Sequence, residues 1–133
     1  MPQSRRLRVE THARTEFVPL AERIGAEVGL LETDGVLVVS VPHTTAGVCV
    51  TEGYDPDVMA DVEQVLDRLV PWKADYRHGE GNTAAHVKTM LVGSSVSLPV
   101  RRGAIELGQW QEIFLCEFDG PRVRTVVLTL LPA

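Results

Sequence analysis

From residue 94 to residue 131 the chain carries almost nothing but strand pattern, and this constrains the fold more than any other feature. Val96, Leu98 and Val100 alternate with serine and proline, the two-residue period of a strand with one buried face. Arg102-Gly103 marks a turn. Residues 104–107, 110–118 and 122–131 follow as strands of an expected meander, with turns at Gly108 and Asp119-Gly120-Pro121. Two earlier runs, residues 36–41 and 46–51, are short, continuous and β-branched, which predicts strands buried on both faces. Residues 7–13 alternate apolar and polar side chains as a first strand with one wet face.

Three helical patterns interrupt the strands. Leu20, Ile24, Val28 and Leu31 recur every three or four residues behind Pro19, and proline suits a first helical position because its missing N–H has no partner there. Asp55 is a good N-cap, with Pro56 behind it and Asp57 favourable in the first turn. Val58, Val62, Val65, Leu66 and Leu69 form that helix's expected apolar stripe. Gly81 breaks the chain, Asn82 is a natural N-cap, and residues 84–92 form a third helix closed by Gly93. Its apolar positions are Ala85, Val87, Met90 and Leu91.

The expected class is α+β, a largely antiparallel sheet with about three helices in a single domain over residues 1–133. The strands are more apolar than three short helices can cover. Two sheets must therefore lie face to face, or subunits must meet, and a symmetric homo-oligomer is favoured. The net charge of −5 with both signs dispersed argues against a nucleic-acid footprint, which needs a clustered basic face. No apolar run approaches the ~20 residues of a membrane span, and the first eight residues lack the apolar core of a signal peptide. Cys49 and Cys116 sit in apolar strand patterns, consistent with buried free thiols in a reducing cytoplasm.

The chemistry-bearing residues fall in two islands. His78-Gly79-Glu80-Gly81-Asn82-Thr83-Ala84-Ala85-His86 holds two of the four histidines and the one asparagine. His43-Thr44-Thr45 lies at the corner between two buried strands, and the fold is expected to bring the islands together. Imidazoles with one or two carboxylates suit a divalent metal, zinc or magnesium, and His43, His78 and His86 are the candidate ligands. The same histidines, with Glu52, are candidates for general acid/base work. The glycine-rich approach to the Asn82 helix exposes N–H groups that attract a phosphate, with Lys88, Arg77 and Arg101 as possible added charge. Thr44 and Thr45 can donate to a phosphate or orient a histidine. Glu80, Gly81 and Asn82 complete the expected ligand-binding set with Lys88 and Gln111, a polar residue at a strand start. Glu117, flanked by Cys116 and Phe118, is expected to pair with Arg122 or Arg124. Asp119-Gly120-Pro121-Arg122 is read as a tight turn.

Taken together, His43-Thr44-Thr45-Ala46, Glu52 with Asp55-Pro56, Tyr76-Arg77-His78 with Glu80-Gly81-Asn82, Ala85-His86, Gly108 with Trp110-Gln111, and the run from Glu117 to Arg122 resemble the YjbQ family, also catalogued as UPF0047. Gln109 stands where that family usually has threonine, and Thr51 where it usually has asparagine. The resemblance implies an α+β protein built on a mainly antiparallel β-sandwich and assembling as a homotrimer, with clefts near subunit boundaries. It also implies an enzyme of phosphorylated small molecules with weak thiamine-phosphate synthase activity, joining a pyrimidine diphosphate to a thiazole phosphate and releasing pyrophosphate. The alternative from another class is a non-catalytic trimeric module that binds a metal or an anion.

Overall fold

The computed structural model describes residues 3–133; Met1 and Pro2, counted in the domain expected over 1–133, lie outside the described residues. The element order is β1 (Gln3–Glu10), β2 (Glu16–Pro19), α1 (Ala21–Gly29), β3 (Gly35–Ser40), β4 (Ala46–Glu52), α2 (Pro56–Leu69), α3 (Thr83–Val92), β5 (Ser95–Arg101), β6 (Ala104–Ile105), β7 (Gln111–Glu117) and β8 (Val123–Pro132). The strands form a five-stranded sheet of order β1-β8-β3-β5-β6 and a three-stranded sheet of order β2-β7-β4. Every strand pair is antiparallel.

Side-chain alternation explains the layering. Leu7, Val9, Leu37, Val39, Leu98, Val100, Val126, Leu128 and Leu130 point from the large sheet into one core, and Ala46, Val48, Ile113 and Leu115 meet them from the small sheet. Leu20 at the start of the first helix, and Ile24 and Val28 on it, close this core. The alternate residues of β7, Phe114 and Cys116, face the other way and pack with Phe118, Met59 and Ala85 under the second and third helices. The fold is thus an α+β sandwich with helices on the outer face of the small sheet. Full burial of each aliphatic side chain is worth roughly 1.5–3 kcal/mol. A one-residue slip would turn a whole row outward, so these rows fix the register.

Several expectations change. The first strand covers Gln3–Glu10 rather than 7–13. Pro19 does not open a helix but ends β2, an edge strand, where a residue without an N–H is tolerated. β3 is buried on one face only, with Leu37 and Val39 inside and Val36 45% exposed, because no helix among the described residues covers the outer face of the large sheet. The C-terminal strands are not a meander: β7 crosses to the small sheet and β8 returns to the large one. In α2 the buried side is centred on Met59, Val62 and Leu66, leaving Val65 and Leu69 exposed. In α3 the buried residues are Ala84, Ala85, Lys88 and Thr89, whereas Met90 is 82% and Leu91 62% exposed. Small side chains there allow close approach to β4. A Cβ at Gly47 would lie 2.4 Å from the carbonyl oxygen of Gly93, and that oxygen accepts the N–H of Val48.

Candidate functional site

At one end of the sandwich the core rows turn polar. Glu117 continues the inward row of Ile113 and Leu115, and Arg124 continues that of Val126 and Leu128. They meet as a buried ion pair. Arg124 Nε donates to Glu117 at 2.8 Å, and its Nη2 donates to Thr45 Oγ1 at 2.8 Å. Thr11 Oγ1 donates to Glu117 at 2.7 Å, and the Asp119 N–H donates to it at 3.0 Å. Burial raises the Glu117 carboxyl, but the hydrogen bonds from Arg124, Asp119 and Thr11 outweigh it and hold the group below the ordinary carboxylate range. The ion pair expected for Glu117 is present, with Arg124 as partner.

Above this pair lies a cavity of about 450 Å³. The β3–β4 corner contributes His43, Thr44 and Thr45, the approach to the third helix contributes His78 and Glu80, the helix itself contributes Asn82 and His86, and the β7–β8 turn contributes Asp119, Arg122 and Arg124. The structure therefore brings both polar islands to one place. A second cavity of about 500 Å³ continues past His43 and His86 to Thr89, Met90 and Ser94.

The histidines are not equivalent. His43 Nε2 accepts the backbone N–H of Thr125 at 2.9 Å. A backbone amide can only donate, so neutral His43 carries its proton on Nδ1. Burial, and next the charge of Arg124, push its pKa down. His78 and His86 meet edge to face, with ring centroids 5.5 Å apart. Among the described residues no group of three His, Cys, Asp or Glu side chains is arranged to hold a metal ion. His43 does not fit the expected ligand set, since Nε2 is taken and Nδ1 is protonated in the neutral ring.

Asn82 sits at the helix N-cap position, but its side chain does not cap. Its Nδ2 donates instead to Asp119 Oδ2 at 2.8 Å. The same oxygen accepts from Arg122 Nη2 at 3.1 Å, and Arg122 Nε donates to the Asp119 carbonyl at 2.9 Å. Asn82 Oδ1 and Thr83 Oγ1 are buried without a hydrogen-bond partner among the described residues. Gly81 makes the turn into the helix at φ 75° and is not part of the cavity wall.

Three expected site residues lie elsewhere. Glu52 and Gln111 are paired across β4 and β7, at the end opposite Ala46 and Glu117. Six residues of strand put them roughly 20 Å from the Ala46–Glu117 end, and neither lines the cavity that holds the histidines. Glu52 accepts the N–H groups of Tyr54 and Asp55 there, and Gln111 accepts that of Gly108. Lys88 leaves the third helix on another side, into a cavity with Arg14, Asp67 and Trp72, and is ion-paired with Asp67. Of the added cations considered, Arg77 is exposed outside the cavity wall and Arg101 pairs with Glu106. The cations at the site are Arg122 and Arg124. The signal for them was the density of charge just after a core strand, where a tight turn alone needs no arginine.

A profile described as UPF0047 protein YjbQ-like matches residues 5–133. The chain is 41% identical over 129 residues to UPF0047 protein YugU of Bacillus subtilis, covering 94% of this chain and 96% of the relative. A UPF0047 protein of Archaeoglobus fulgidus is 35% identical, with 94% and 98% covered. A crystal structure of a YjbQ/UPF0047 protein from Clostridium acetobutylicum superposes with a TM-score of 0.92 at 38% identity, covering 95% of this chain and 98% of that one. A conserved hypothetical protein from Thermus thermophilus superposes at 0.89 with 42% identity, over 95% and 98% of the two chains. The chain belongs to the YjbQ-like UPF0047 family.

Proposed function

We propose that the chain is an enzyme acting on a phosphorylated small molecule in the cavity under His43, His78 and His86. The observation that carries this reading is the convergence of imidazoles, carboxylates and a partly exposed guanidinium on one wall. Binding of an anion alone does not require so many proton-transfer groups. Arg122 reaches solvent while its other donors are fixed on Asp119, which makes it the anchor for a phosphate. The Nδ1–H of His43 is a fixed neutral donor. His78 and His86, in edge contact, are the acid/base pair.

The reaction to test first is the thiamine-phosphate synthase step. The thiazole nitrogen attacks the methylene carbon of the pyrimidine diphosphate, the carbon–oxygen bond breaks, and pyrophosphate leaves with the electron pair. The protein's part is to place positive charge and N–H donors where negative charge develops on the leaving oxygens. We also propose a cytoplasmic homotrimer. Exposed Met90 and Leu91, next to the cavity shared by His43 and His86, support subunit contact beside the site.

Pyrophosphate release should be followed with wild-type protein and His86→Ala across a panel of phosphorylated substrates, beginning with this pair. Loss of an acid/base group costs about 10²–10⁴-fold, and a fall in that range is expected. Turnover unchanged in His86→Ala would remove the enzyme reading. Saturable ligand binding without any product would leave the trimeric metal- or anion-binding module in its place. Light scattering should give a mass near three times the 14.6 kDa chain.

A further inference from the structure

Cys49 on β4 and Cys116 on β7 play no part in the cavity, yet they are placed against each other. The register sets Gly47 opposite Cys116 and Cys49 opposite Phe114. The cysteines are therefore diagonal neighbours on one face of the small sheet, the face that packs under the second and third helices. Both are free, and their sulfurs are 3.5 Å apart. A disulfide needs about 2.05 Å, so roughly 1.5 Å separates this contact from a bond.

The two thiols differ in the way a reacting pair must. Cys116 is fully buried and Cys49 only partly, so a small reagent meets Cys49 first. The Cys116 S–H beside Cys49 favours thiolate at Cys49 and lowers its pKa, while the same contact and burial push Cys116 up. Thiolate is the nucleophilic form that attacks an oxidant.

We propose that Cys49 and Cys116 are an oxidisable dithiol, a modification site for a peroxide-class oxidant that closes into a disulfide tying β4 to β7. The Cys49 thiolate attacks peroxide, the O–O bond breaks, and Cys49 sulfenic acid forms with release of hydroxide. The sulfur of Cys116 then attacks the sulfenic sulfur, the S–O bond breaks and water leaves with the Cys116 proton. Two thiols lose two electrons in total and one peroxide molecule gains them, giving two waters. Proximity makes the second step intramolecular.

The test uses full-length wild-type protein, Cys49→Ser and Cys116→Ser, each exposed to dilute hydrogen peroxide, then denatured for thiol counting and mass spectrometry. Wild type should lose both thiols, become two hydrogens lighter, and yield one peptide pair joined through Cys49 and Cys116. Cys116→Ser should instead accumulate a Cys49 sulfenic acid that dimedone traps. Two thiols remaining in wild type, oxidation of Cys49 beyond sulfenic acid without a bridge, or a bridge found only between chains would each overturn the proposal.

Discussion

The Nε2 atom of His43 accepts the backbone N–H of Thr125, and this single bond decides what the histidine can do. It fixes the neutral tautomer with the proton on Nδ1. Nitrogen-15 NMR should show that tautomer in the folded protein. The folded pKa lies below the ordinary 6.5, so the unfolded chain binds more protons below that pH. This contribution to stability is present above about pH 6.5 and is lost as pH falls through the folded value. His43→Gln keeps an acceptor for Thr125, whereas His43→Ala leaves that N–H unpaired, at a cost of about 1–3 kcal/mol. Near-stoichiometric zinc in purified wild-type protein, absent from His43→Ala, would show instead that His43 is a ligand.

The Glu117–Arg124 pair gives a second outcome. Glu117 is 0% and Arg124 4% exposed, so removing one partner strands the other charge in the sandwich. Glu117→Gln should lose about 3–5 kcal/mol, while a double variant such as Glu117→Leu with Arg124→Met should recover much of it. Denaturant unfolding of Glu117→Leu, Arg124→Met and the double variant closes the cycle. The Glu117 pKa is held below 4.5. Its share of stability is present above that pH and is lost as acid takes the pH down through the folded value.

Why the sequence was legible in some places and not in others follows from these residues. The two polar islands, the three helices and the strand runs were readable because alternation, caps and glycines are local signals. β2 was hidden because its four residues, Glu16–Pro19, are too few to show a period and Pro19 suggested a helix start. The crossing of β7 between sheets was hidden because a strand flanked by turns looks the same whichever sheet it joins. One of Arg122 and Arg124 was expected to pair with Glu117, and Arg124 does so, while Arg122 pairs with Asp119. Their place on the cavity wall depends on sheet pairing, which no local pattern encodes. Glu52 and Gln111 looked like site residues because they are polar beside apolar runs, but both are spent on backbone N–H groups at the far end of the strands.

That distance makes Glu52 informative. Glu52→Gln keeps an acceptor oxygen for the N–H groups of Tyr54 and Asp55 but removes its charge, so it should cost no more than about 1 kcal/mol and leave turnover as it is. Thermal unfolding and the pyrophosphate assay check both parts. A collapse of turnover with an unchanged melting temperature would put Glu52 of one copy into the cavity of another.

Arg122 separates substrate binding from folding. Its side chain is 52% exposed while Asp119, its partner, is 16% exposed, so the ion pair itself contributes at most about 1 kcal/mol. Asp119 also keeps its bond from Asn82 Nδ2, which holds the turn when Arg122 is cut back. Arg122→Ala should therefore melt within a few degrees of wild type. A charge-assisted contact to a phosphate is worth about 1.5–3 kcal/mol, so KM for the phosphorylated substrate should rise roughly 10- to 150-fold. Arg122→Lys keeps the charge but not the planar fork, and should recover only part of the loss. If Arg122→Ala binds substrate as tightly as wild type, the phosphate rests on other groups, and the uncapped N–H groups at the start of the third helix become the place to look.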